Sequence, residues 1–457
     1  MKKTLLTLLA VMTAIFLMLG LTSCGGGEDG DDKNPQECVH VDTDDNSLCD
    51  KCGEEFTDGE HEHNYTKNTD SEYWASEAGC GKASQYYLSC ADCGVASTET
   101  FSHGEISNLH KNSDGKCILC GLEKSSEGLL FSLNSDEKGY TLTGVDSSAL
   151  TGTNIVIGTY NDLNVTSIAA FAFSECSKIT GITIQESVTE IGEGAFAYCS
   201  NLETVTLPNT LTSIDDYTFE GCDKLLYNEY DNAHYLGNES NPYLMLLRVK
   251  SENITFFEIN SNTKFIHSSA FENSHITSLD IPHGIIEIGW GAFYNCSSLT
   301  SIEIPDTVTR IGAGAFTYCS SLTSVTITDS ITEIGEKLFY DCNKLQYNEY
   351  NNAYYLGNES NPYLLLVEAK STNITSCIIE SKTKIIYSSA FNSCSALTNI
   401  TIPESTIIIC NRAFNRCKNL TNIYYSGTEE MWKNINIDEE NNEYLLAATI
   451  HYNHTQN

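Results

Sequence analysis

Residues 299–319 read LTSIEIPDTVTRIGAGAFTYC, and the same pattern returns along most of the 457-residue chain. Ile302 and Ile304 alternate with polar residues, which is typical of a short strand with one buried face. Pro305 ends this strand, because proline has no N–H to donate to a sheet. A turn and a second apolar pair follow before the chain reaches Phe316. We therefore predict one strand per repeat.

Phenylalanine marks each repeat, with cysteine three residues later and leucine or isoleucine six residues later. The pattern occurs at Phe173, Phe196, Phe219, Phe293, Phe316, Phe339, Phe391 and Phe414, and Phe271 has Ser274 in the cysteine position. These anchors lie 23 residues apart within blocks, 22 apart after Phe271, and 52 apart across two gaps. A unit of this size cannot close a core alone, so the units must stack. Nine strands stacked at about 4.8 Å span on the order of 45 Å.

The cysteines of the repeats form a column of equivalent positions. Neighbouring positions about 5 Å apart are close enough for disulfides. Ser274 fills the same position, however, and a column of equivalent thiols gives no reason for any particular pair. We predict that these cysteines are small buried core residues without chemistry, and that the phenylalanines are core residues as well.

The repeats resemble the BspA-type leucine-rich repeats of bacterial surface proteins, whose units read roughly I-P-x-x-V-x-x-I-G-x-x-A-F-x-x-C-x-x-L. The resemblance covers residues 129–425. It implies a β-rich solenoid of leucine-rich repeats, and adhesion to host matrix proteins, other bacteria or glycans. Departures from the pattern are local. Cys410 replaces the glycine of a tight turn, which puts that turn in doubt, and Gln185 replaces the proline that ends a strand.

Each long gap carries 29 extra residues (52 against 23), near residues 226–253 and 346–373. The two inserts are near copies 120 residues apart, which implies internal duplication. An aromatic-rich stretch, an Asn-Pro turn and an apolar strand favour a β-hairpin packed on the solenoid. The functional alternative is a surface that contacts a partner, because tyrosine offers contact area and a hydroxyl at low entropy cost. That surface would consist of Tyr230, Tyr235, Tyr243, Tyr350, Tyr355 and Tyr363.

Residues 38–124 carry three Cys-x-x-Cys-Gly pairs, at Cys49/Cys52, Cys90/Cys93 and Cys117/Cys120. This spacing lets both thiolates of a tight turn bind one tetrahedral ion. Further ligands precede each pair: Cys38 with His40, His61 or His63 with Cys80, and His103 with His110. Two cysteines in each pair and two ligands upstream of it make four, which predicts three structural zinc sites of four ligands each. The alternative is disulfides, since an exported chain meets an oxidising environment, although disulfides leave the accompanying histidines unexplained.

Residues 1–23 have the features of a secretory signal peptide, with two lysines, an apolar run and then small polar residues. The stretch Leu21-Thr22-Ser23-Cys24-Gly25 resembles the bacterial lipoprotein signal, which implies cleavage before Cys24 and acylation of its thiol. Several acyl chains would hold the protein on a membrane without crossing it. Residues 24–37 are rich in acidic residues and glycine, which predicts a flexible tether. Gly25 is not the aspartate of the inner-membrane retention signal, so we expect exposure at the cell surface.

The chain has 25 Lys and Arg against 61 Asp and Glu, a formal net charge of -36. This balance argues against nucleic acid as a partner, because phosphate binding needs clusters of Lys and Arg. The sequence contains none of the common local signatures of hydrolases, metalloproteases or phosphate-binding loops, so we predict no enzyme. Residues 426–457 depart from the repeat as a C-terminal cap should.

Two hypotheses about function remain. The first is a lipid-anchored surface protein whose solenoid binds a protein or glycan on host or neighbouring cells. The second is a structural or metal-handling cell-envelope lipoprotein in which the solenoid is a spacer.

Overall fold

A computed structural model describes residues 120–455 without a break, together with residue 69 and eight short upstream strands. The chain divides into two compact units, residues 1–113 with 117–121 and residues 114–116 with 122–457. The upstream strands are β1 (Gln36–Glu37), β2 (Glu62–His63), β3 (Tyr65–Lys67), β4 (Trp74–Ser76), β5 (Lys82–Cys90), β6 (Ala96–Ser107), β7 (Asn112–Ser113) and β8 (Lys116–Cys117). In the first unit, β5 pairs antiparallel with β3, β4 and β6.

The second unit is a solenoid of short strands. Its first strands are β9 (Leu129–Leu133), β10 (Gly139–Val145), β11 (Asn154–Ile157), β12 (Thr159–Tyr160), β13 (Leu163–Ile168), β14 (Gly181–Ile184), β15 (Glu190–Ile191), β16 (Thr204–Thr206) and β17 (Ser213–Ile214). The middle strands are β18 (Asn228–Tyr230), β19 (Ala233–Leu236), β20 (Met245–Val249), β21 (Phe265–Ile266), β22 (Glu287–Ile288), β23 (Ser301–Glu303), β24 (Arg310–Ile311), β25 (Ser324–Thr326) and β26 (Glu333–Ile334).

The last part of the solenoid repeats the insert and ends in two short helices. Its strands are β27 (Asn348–Tyr350), β28 (Ala353–Leu356), β29 (Leu365–Ala369), β30 (Ser376–Ile378), β31 (Ile385–Ile386), β32 (Asn399–Ile402), β33 (Ile408–Ile409), β34 (Asn422–Tyr425), β35 (Asn436–Ile437) and β36 (Thr449–His451). The helices are α1 (Glu429–Lys433), which follows β34, and α2 (Glu443–Ala447), which follows β35.

A full repeat contributes two strands, and each joins a different parallel sheet. In the repeat that begins at Leu299, β23 pairs with β25 and β24 pairs with β26. Partners lie 23 residues apart, as Ser301 opposite Ser324 and Arg310 opposite Glu333 show. The β-solenoid is therefore confirmed, but the prediction of one strand per repeat is wrong. The second apolar pair is too short to show alternation, and only pairing with the neighbouring turns makes it a strand.

Stacked phenylalanines form the core between the two sheets. Successive ring centroids from Phe271 through Phe293 and Phe316 to Phe339 lie 5.0, 5.2 and 5.9 Å apart. Phe293 and Phe316 are fully buried. The prediction that the anchor phenylalanines are core residues is confirmed, because each ring fills the space between its equivalents in the turns above and below.

The cysteines beside this ladder are buried and bond to the backbone. The thiol of Cys199 donates to the carbonyl oxygen of Phe173, and that of Cys319 to the carbonyl oxygen of Phe293, both at 3.1 Å. Burial raises the pKa of the Cys199 thiol to about 12, so it stays protonated at neutral pH. The predicted burial is confirmed for most of the column, although Cys176 is only half-buried. The bond to the preceding turn is an additional role that the sequence does not show.

The turn before each phenylalanine requires a close approach between successive repeats. A Cβ added at Gly312 would lie 2.4 Å from the nitrogen of Trp290, so the turn favours glycine there. At the equivalent Cys410 the turn still forms, because the N–H three residues later donates to its carbonyl oxygen at 3.3 Å. The carbonyl oxygen of Gln185 accepts the N–H of Val188 at 3.1 Å, which closes the turn after its strand. Both departures from the repeat pattern are therefore accommodated.

Each insert extends the solenoid with a hairpin, as predicted. In the first insert, β18 and β19 are antiparallel, β19 pairs antiparallel with β20, and β20 joins the parallel sheet beside β21. Strands β27, β28, β29 and β31 repeat this arrangement in the second insert. A Cβ at Gly237 would lie 2.0 Å from the Asn241 carbonyl oxygen. The side-chain oxygen of Asn238 accepts the N–H of Asn241 at 2.9 Å, which closes the loop.

A charged cluster joins β17 to strands that follow the first insert. Arg310 forms ion pairs with Asp215 and, at 3.3 Å, with Glu333. Its guanidinium also lies 3.7 Å from Glu287, whose side chain is only 5% exposed. A carboxylate oxygen of Glu287 accepts the N–H of Ile214 at 3.2 Å. We call Asp215, Glu287, Arg310 and Glu333 the junction cluster.

The junction cluster should make stability depend on pH. Burial raises the pKa of Glu287 from 4.5 to about 8, against the charge of Arg310. The folded chain therefore binds this proton more tightly than the unfolded chain. The stabilisation that the protonated Glu287 gives the fold is complete below about pH 4.5 and is lost as the pH rises through about 8. We expect Glu287→Gln to reduce the loss of stability between about pH 5 and about pH 9 by about 1–2 kcal/mol.

Urea unfolding at the two pH values measures this effect. Glu303 lies on β23 and is exposed, so Glu303→Gln is the matched control and should behave as wild type. An identical fall in stability for wild type and Glu287→Gln would contradict the expectation.

The C-terminal residues continue both sheets by one turn. Strand β35 pairs parallel with β33, and β36 pairs parallel with β34. The Thr428 hydroxyl caps α1 by accepting the N–H of Met431 at 3.2 Å. The ring of Trp432 packs edge-on to Tyr425 at 5.1 Å. Within the part of the chain that the structure describes, no helix combines the length and the apolar character that crossing a membrane requires.

Candidate functional site

The insert tyrosines do not form the surface that the sequence suggested. Tyr235 and Tyr355 are 0% exposed and belong to the hydrophobic core. The prediction that these two residues contact a partner is therefore wrong. Alternate residues of a strand point to opposite faces, and both tyrosines occupy an inward position, on β19 and β28 respectively.

The other four insert tyrosines surround these buried rings. The ring of Tyr243 lies 5.5 Å from that of Tyr235, and the ring of Tyr363 lies 5.5 Å from that of Tyr355. Tyr230, Tyr243 and Tyr363 are half-buried, and Tyr350 is exposed. Contact between these four residues and a partner stays a prediction, but most of each cluster serves packing.

A cleft lies beside each insert, and equivalent residues 120 positions apart line the two clefts. The first cleft holds about 310 Å³, and its lining residues include Tyr217, Phe219 and His267. The second holds about 560 Å³, and the equivalent residues are Lys337, Phe339 and Tyr387. The duplicated inserts therefore create two clefts of matching position but different chemistry.

The difference at residues 267 and 387 follows from one hydrogen bond. In the second cleft, the Tyr387 hydroxyl donates to the carbonyl oxygen of Gly335 at 2.8 Å. In the first, the Thr218 hydroxyl donates to the equivalent carbonyl oxygen, that of Asp215, at 2.5 Å. Because Thr218 already satisfies this carbonyl oxygen in the first cleft, residue 267 does not need a tyrosine hydroxyl and histidine can occupy the position. Burial lowers the pKa of His267 to about 4, so its ring is uncharged at neutral pH.

Five aromatic rings form a continuous row that starts at the first cleft. Successive ring centroids from Tyr217 to Trp290, Tyr294, Tyr318 and Tyr340 are 5.4, 6.4, 5.3 and 5.8 Å apart. Tyr340 is 57% exposed and Tyr318 is 37% exposed, while the other three are half-buried. We call these five residues the aromatic ridge. It crosses the first insert, because Tyr217 precedes the insert and Trp290 follows it.

Acidic side chains flank the aromatic ridge. Burial is the main cause that raises the pKa of Tyr217, and the nearby carboxylates of Asp216, Glu220, Glu193 and Glu272 raise it further. At the other end, the neighbouring Tyr294 is the main cause that raises the pKa of Tyr318, followed by burial, Tyr340 and Asp341. Lys337 brings one positive charge to the turn that carries Tyr340. The ridge therefore combines accessible rings with a surplus of negative charge.

Comparison with known families agrees with this architecture. A family model described as the BspA type leucine rich repeat region matches in six copies, over residues 131–238, 249–360 and 369–437. These ranges cover more than half of the chain. The chain belongs to the BspA-type leucine-rich repeat family. A comparison with curated proteins gives no significant match.

Several solved structures are similar to this BspA-type protein. A leucine-rich repeat protein of Treponema pallidum is 21% identical over 48% of this chain and 88% of its own, with a TM-score of 0.27. A leucine-rich cell surface protein of Faecalibacterium prausnitzii is 24% identical over 68% and 97%, with a TM-score of 0.23. A leucine-rich repeat protein of Bacteroides ovatus is 20% identical over 71% and 98%, with a TM-score of 0.24. At these scores the similarity says nothing about function.

Most of the predicted zinc ligands of this BspA-type protein lie outside the described residues. These are Cys38, His40, Cys49, Cys52, Cys80, Cys93 and His110, and the side chains of His63, Cys90 and His103 lie outside as well. Cys117 is buried and Cys120 is exposed, and the Gly121 N–H donates to the Cys117 carbonyl oxygen at 2.8 Å. The described residues contain no cluster of potential metal ligands. The three zinc sites stay a prediction, as does acylation of Cys24.

Sequence reasoning missed the aromatic ridge. Its rings occupy several positions around the phenylalanine anchor: Tyr294 and Tyr340 directly follow it, Tyr318 comes two residues after it, and Tyr217 and Trp290 precede it. No single period therefore reveals the row. The available signal was the enrichment of tyrosine and tryptophan within three residues of the buried phenylalanines, at turn positions that face solvent.

Proposed function

We propose that this BspA-type protein is a lipid-anchored cell-surface protein whose solenoid binds macromolecular partners through the aromatic ridge. One observation carries the proposal: five neighbouring rings from four turns of a packed core lie partly exposed in one row. Aromatic residues provide much of the binding energy at protein interfaces, because they bury a large area at low entropy cost. A continuous exposed aromatic row is therefore a candidate contact surface.

Two sequence features support the outward location. The signal that ends at Cys24 resembles the lipoprotein type, and the acidic tether predicted after it would hold the solenoid away from the membrane surface. A large molecule suits such a surface, because the row extends over four centroid separations of 5.3 to 6.4 Å each. The expected partner is a protein or glycan of a host or neighbouring cell.

The test uses the full chain and a ridge variant, Trp290→Ala/Tyr318→Asn/Tyr340→Thr. Each new residue already occupies the equivalent position of a neighbouring turn, as Ala313, Asn295 and Thr317 do. We expect the variant to bind at least about tenfold more weakly to an array of matrix proteins and cell-surface glycans. Phe256→Ala, at a residue that is 76% exposed, should bind as wild type.

The same array separates the two hypotheses about function. Equal binding by wild type and ridge variant would assign the contact to another face. Binding by neither chain would favour the cell-envelope role. Replacing Cys49 and Cys52 by serine in the full chain should remove about one zinc ion, as the ligand count predicts, and leave binding to the array unchanged.

A further inference from the structure

We infer that the aromatic ridge takes an extended, positively charged polypeptide segment, whose Lys and Arg side chains lie on the ring faces. This inference rests on the proposed function and names the chemistry of the partner. Three features of the molecule support it: the orientation of the rings, the charge around them, and the contrast with the equivalent surface at the second insert.

The ring orientations suit a row of separate side chains. The planes of Tyr294 and Tyr318 are 89° apart, and those of Tyr318 and Tyr340 are 83° apart. A sugar chain stacks best on ring faces that share one plane. The planes of Trp290 and Tyr294 are only 15° apart, but Tyr318 stands across them, so the row as a whole has no shared plane. Alternating faces and edges instead offer separate positions for individual cations, since a cation binds over the face of an aromatic ring.

The spacing of the ridge agrees with an extended backbone. Centroids along the ridge are 5.3 to 6.4 Å apart. Side chains on one face of an extended chain recur every two residues, at about 6.6 Å. An extended segment with a basic residue at every second position can therefore place its cations close to successive rings.

The flanking charges select a positive partner. Carboxylates lie near both ends of the ridge, with Asp216 and Glu220 beside Tyr217 and Asp341 near Tyr318. At the Tyr340 end they outnumber the cations, since Lys337 is there but Arg412 is already paired with two carboxylates. The formal net charge of the whole chain is -36. Clustered charge of one sign attracts molecules of the opposite sign and speeds their association. The charge around the ridge therefore favours a positively charged segment.

The second insert provides a contrast within the same molecule. There, Lys337 replaces Tyr217, Asn411 replaces Trp290, and Asn415 replaces Tyr294 at the equivalent positions. Arg412 adds further positive charge and pairs with Glu336 at 3.2 Å and Glu440 at 2.9 Å. This surface has no equivalent row of rings among its described residues, so it offers no successive ring faces to basic side chains. The duplication therefore leaves one basic-peptide surface, at the first insert.

The test measures binding of the full chain to a peptide of about ten residues that alternates Lys and Ser, long enough to span the five rings at about 3.3 Å per residue. A Glu/Ser peptide and a neutral β-linked glucose hexamer are the comparison ligands. We expect the Lys/Ser peptide alone to bind, with affinity that falls as salt rises. The ridge variant should weaken binding by about 10- to 100-fold. Glu220→Gln/Glu272→Gln should weaken it less, and Phe256→Ala should leave it unchanged.

Four outcomes would overturn the inference: no binding of the Lys/Ser peptide, preference for the glucose hexamer, equal binding of the Glu/Ser peptide, or full affinity in the ridge variant. Circular dichroism of each variant confirms that it folds, and Tyr340→Thr alone, at an exposed ring, serves as a second and milder change. If the ridge variant loses array partners but the Lys/Ser peptide never binds, the proposed function stands and this inference fails. If the ridge variant keeps all array partners, the proposed function fails.

Discussion

Replacing Phe316 with alanine should lower the free energy of unfolding of the solenoid by about 3–5 kcal/mol. The side chain is fully buried. Its ring stacks between Phe293 at 5.2 Å and Phe339 at 5.9 Å. Truncation removes both contacts and leaves a cavity that the neighbouring turns cannot fill, because the sheets on either side fix their spacing. No other single apolar truncation in the middle block should cost more.

Guanidinium chloride unfolding followed by tryptophan fluorescence measures this loss. Trp290 reports on the middle of the solenoid, since it lies three residues before Phe293. Phe256→Ala removes the same ring from a position that is 76% exposed, and it should change stability by less than about 0.5 kcal/mol. A loss below about 1 kcal/mol for Phe316→Ala would show that the turns unfold independently and that the stacked rings do not couple them.

The second large effect is expected at the junction cluster. Arg310→Ala should destabilise the solenoid by about 3 kcal/mol, because it leaves the buried Glu287 and the partly buried Asp215 without their cation. The loss should be larger at about pH 9 than at about pH 6. Glu287 can take up a proton at the lower pH and so avoid a buried unpaired charge.

A double-mutant cycle with Glu287→Gln isolates this pair. The double variant Arg310→Ala/Glu287→Gln should be more stable than Arg310→Ala alone at about pH 9, since the uncompensated carboxylate is then absent. Arg310→Lys is the matched control that keeps the charge but loses the bond to the Ser213 hydroxyl, now 2.9 Å long. Purely additive losses would mean that Glu287 and Arg310 do not interact across their 3.7 Å separation.

Sequence periodicity was sufficient to predict the core residues but not to predict the second sheet. Phe316, Cys319 and Leu322 recur at a fixed spacing, and a residue that recurs in every turn of a stack must fill the same buried position. Ile311 also recurs at a fixed spacing, but the pair that it forms with Arg310 is too short to show the alternation of a strand. Its role as strand β24 depends on hydrogen bonds to residues 23 positions away, which no local signal records.

The insert tyrosines show the same limit for the candidate site. The duplicated Asn-Pro turn and apolar strands indicated the hairpin correctly, because turn chemistry and alternation are local properties. Which face of β19 meets the core is not local. Tyr235 is buried by residues such as Ile259, which comes 24 positions later in the chain. Local sequence patterns therefore could not distinguish the buried insert rings from the exposed ones.

By itself the amino-acid sequence determined the family, the solenoid, its core phenylalanines and its two duplicated inserts, because each follows from spacing along the chain. Only the tertiary structure decided which aromatic residues reach the surface together. Tyr217 and Trp290 are 73 positions apart in sequence, yet their rings are 5.4 Å apart. The first insert extends the sheets, and the chain after it returns to the same edge of the solenoid. This return places both rings in one row.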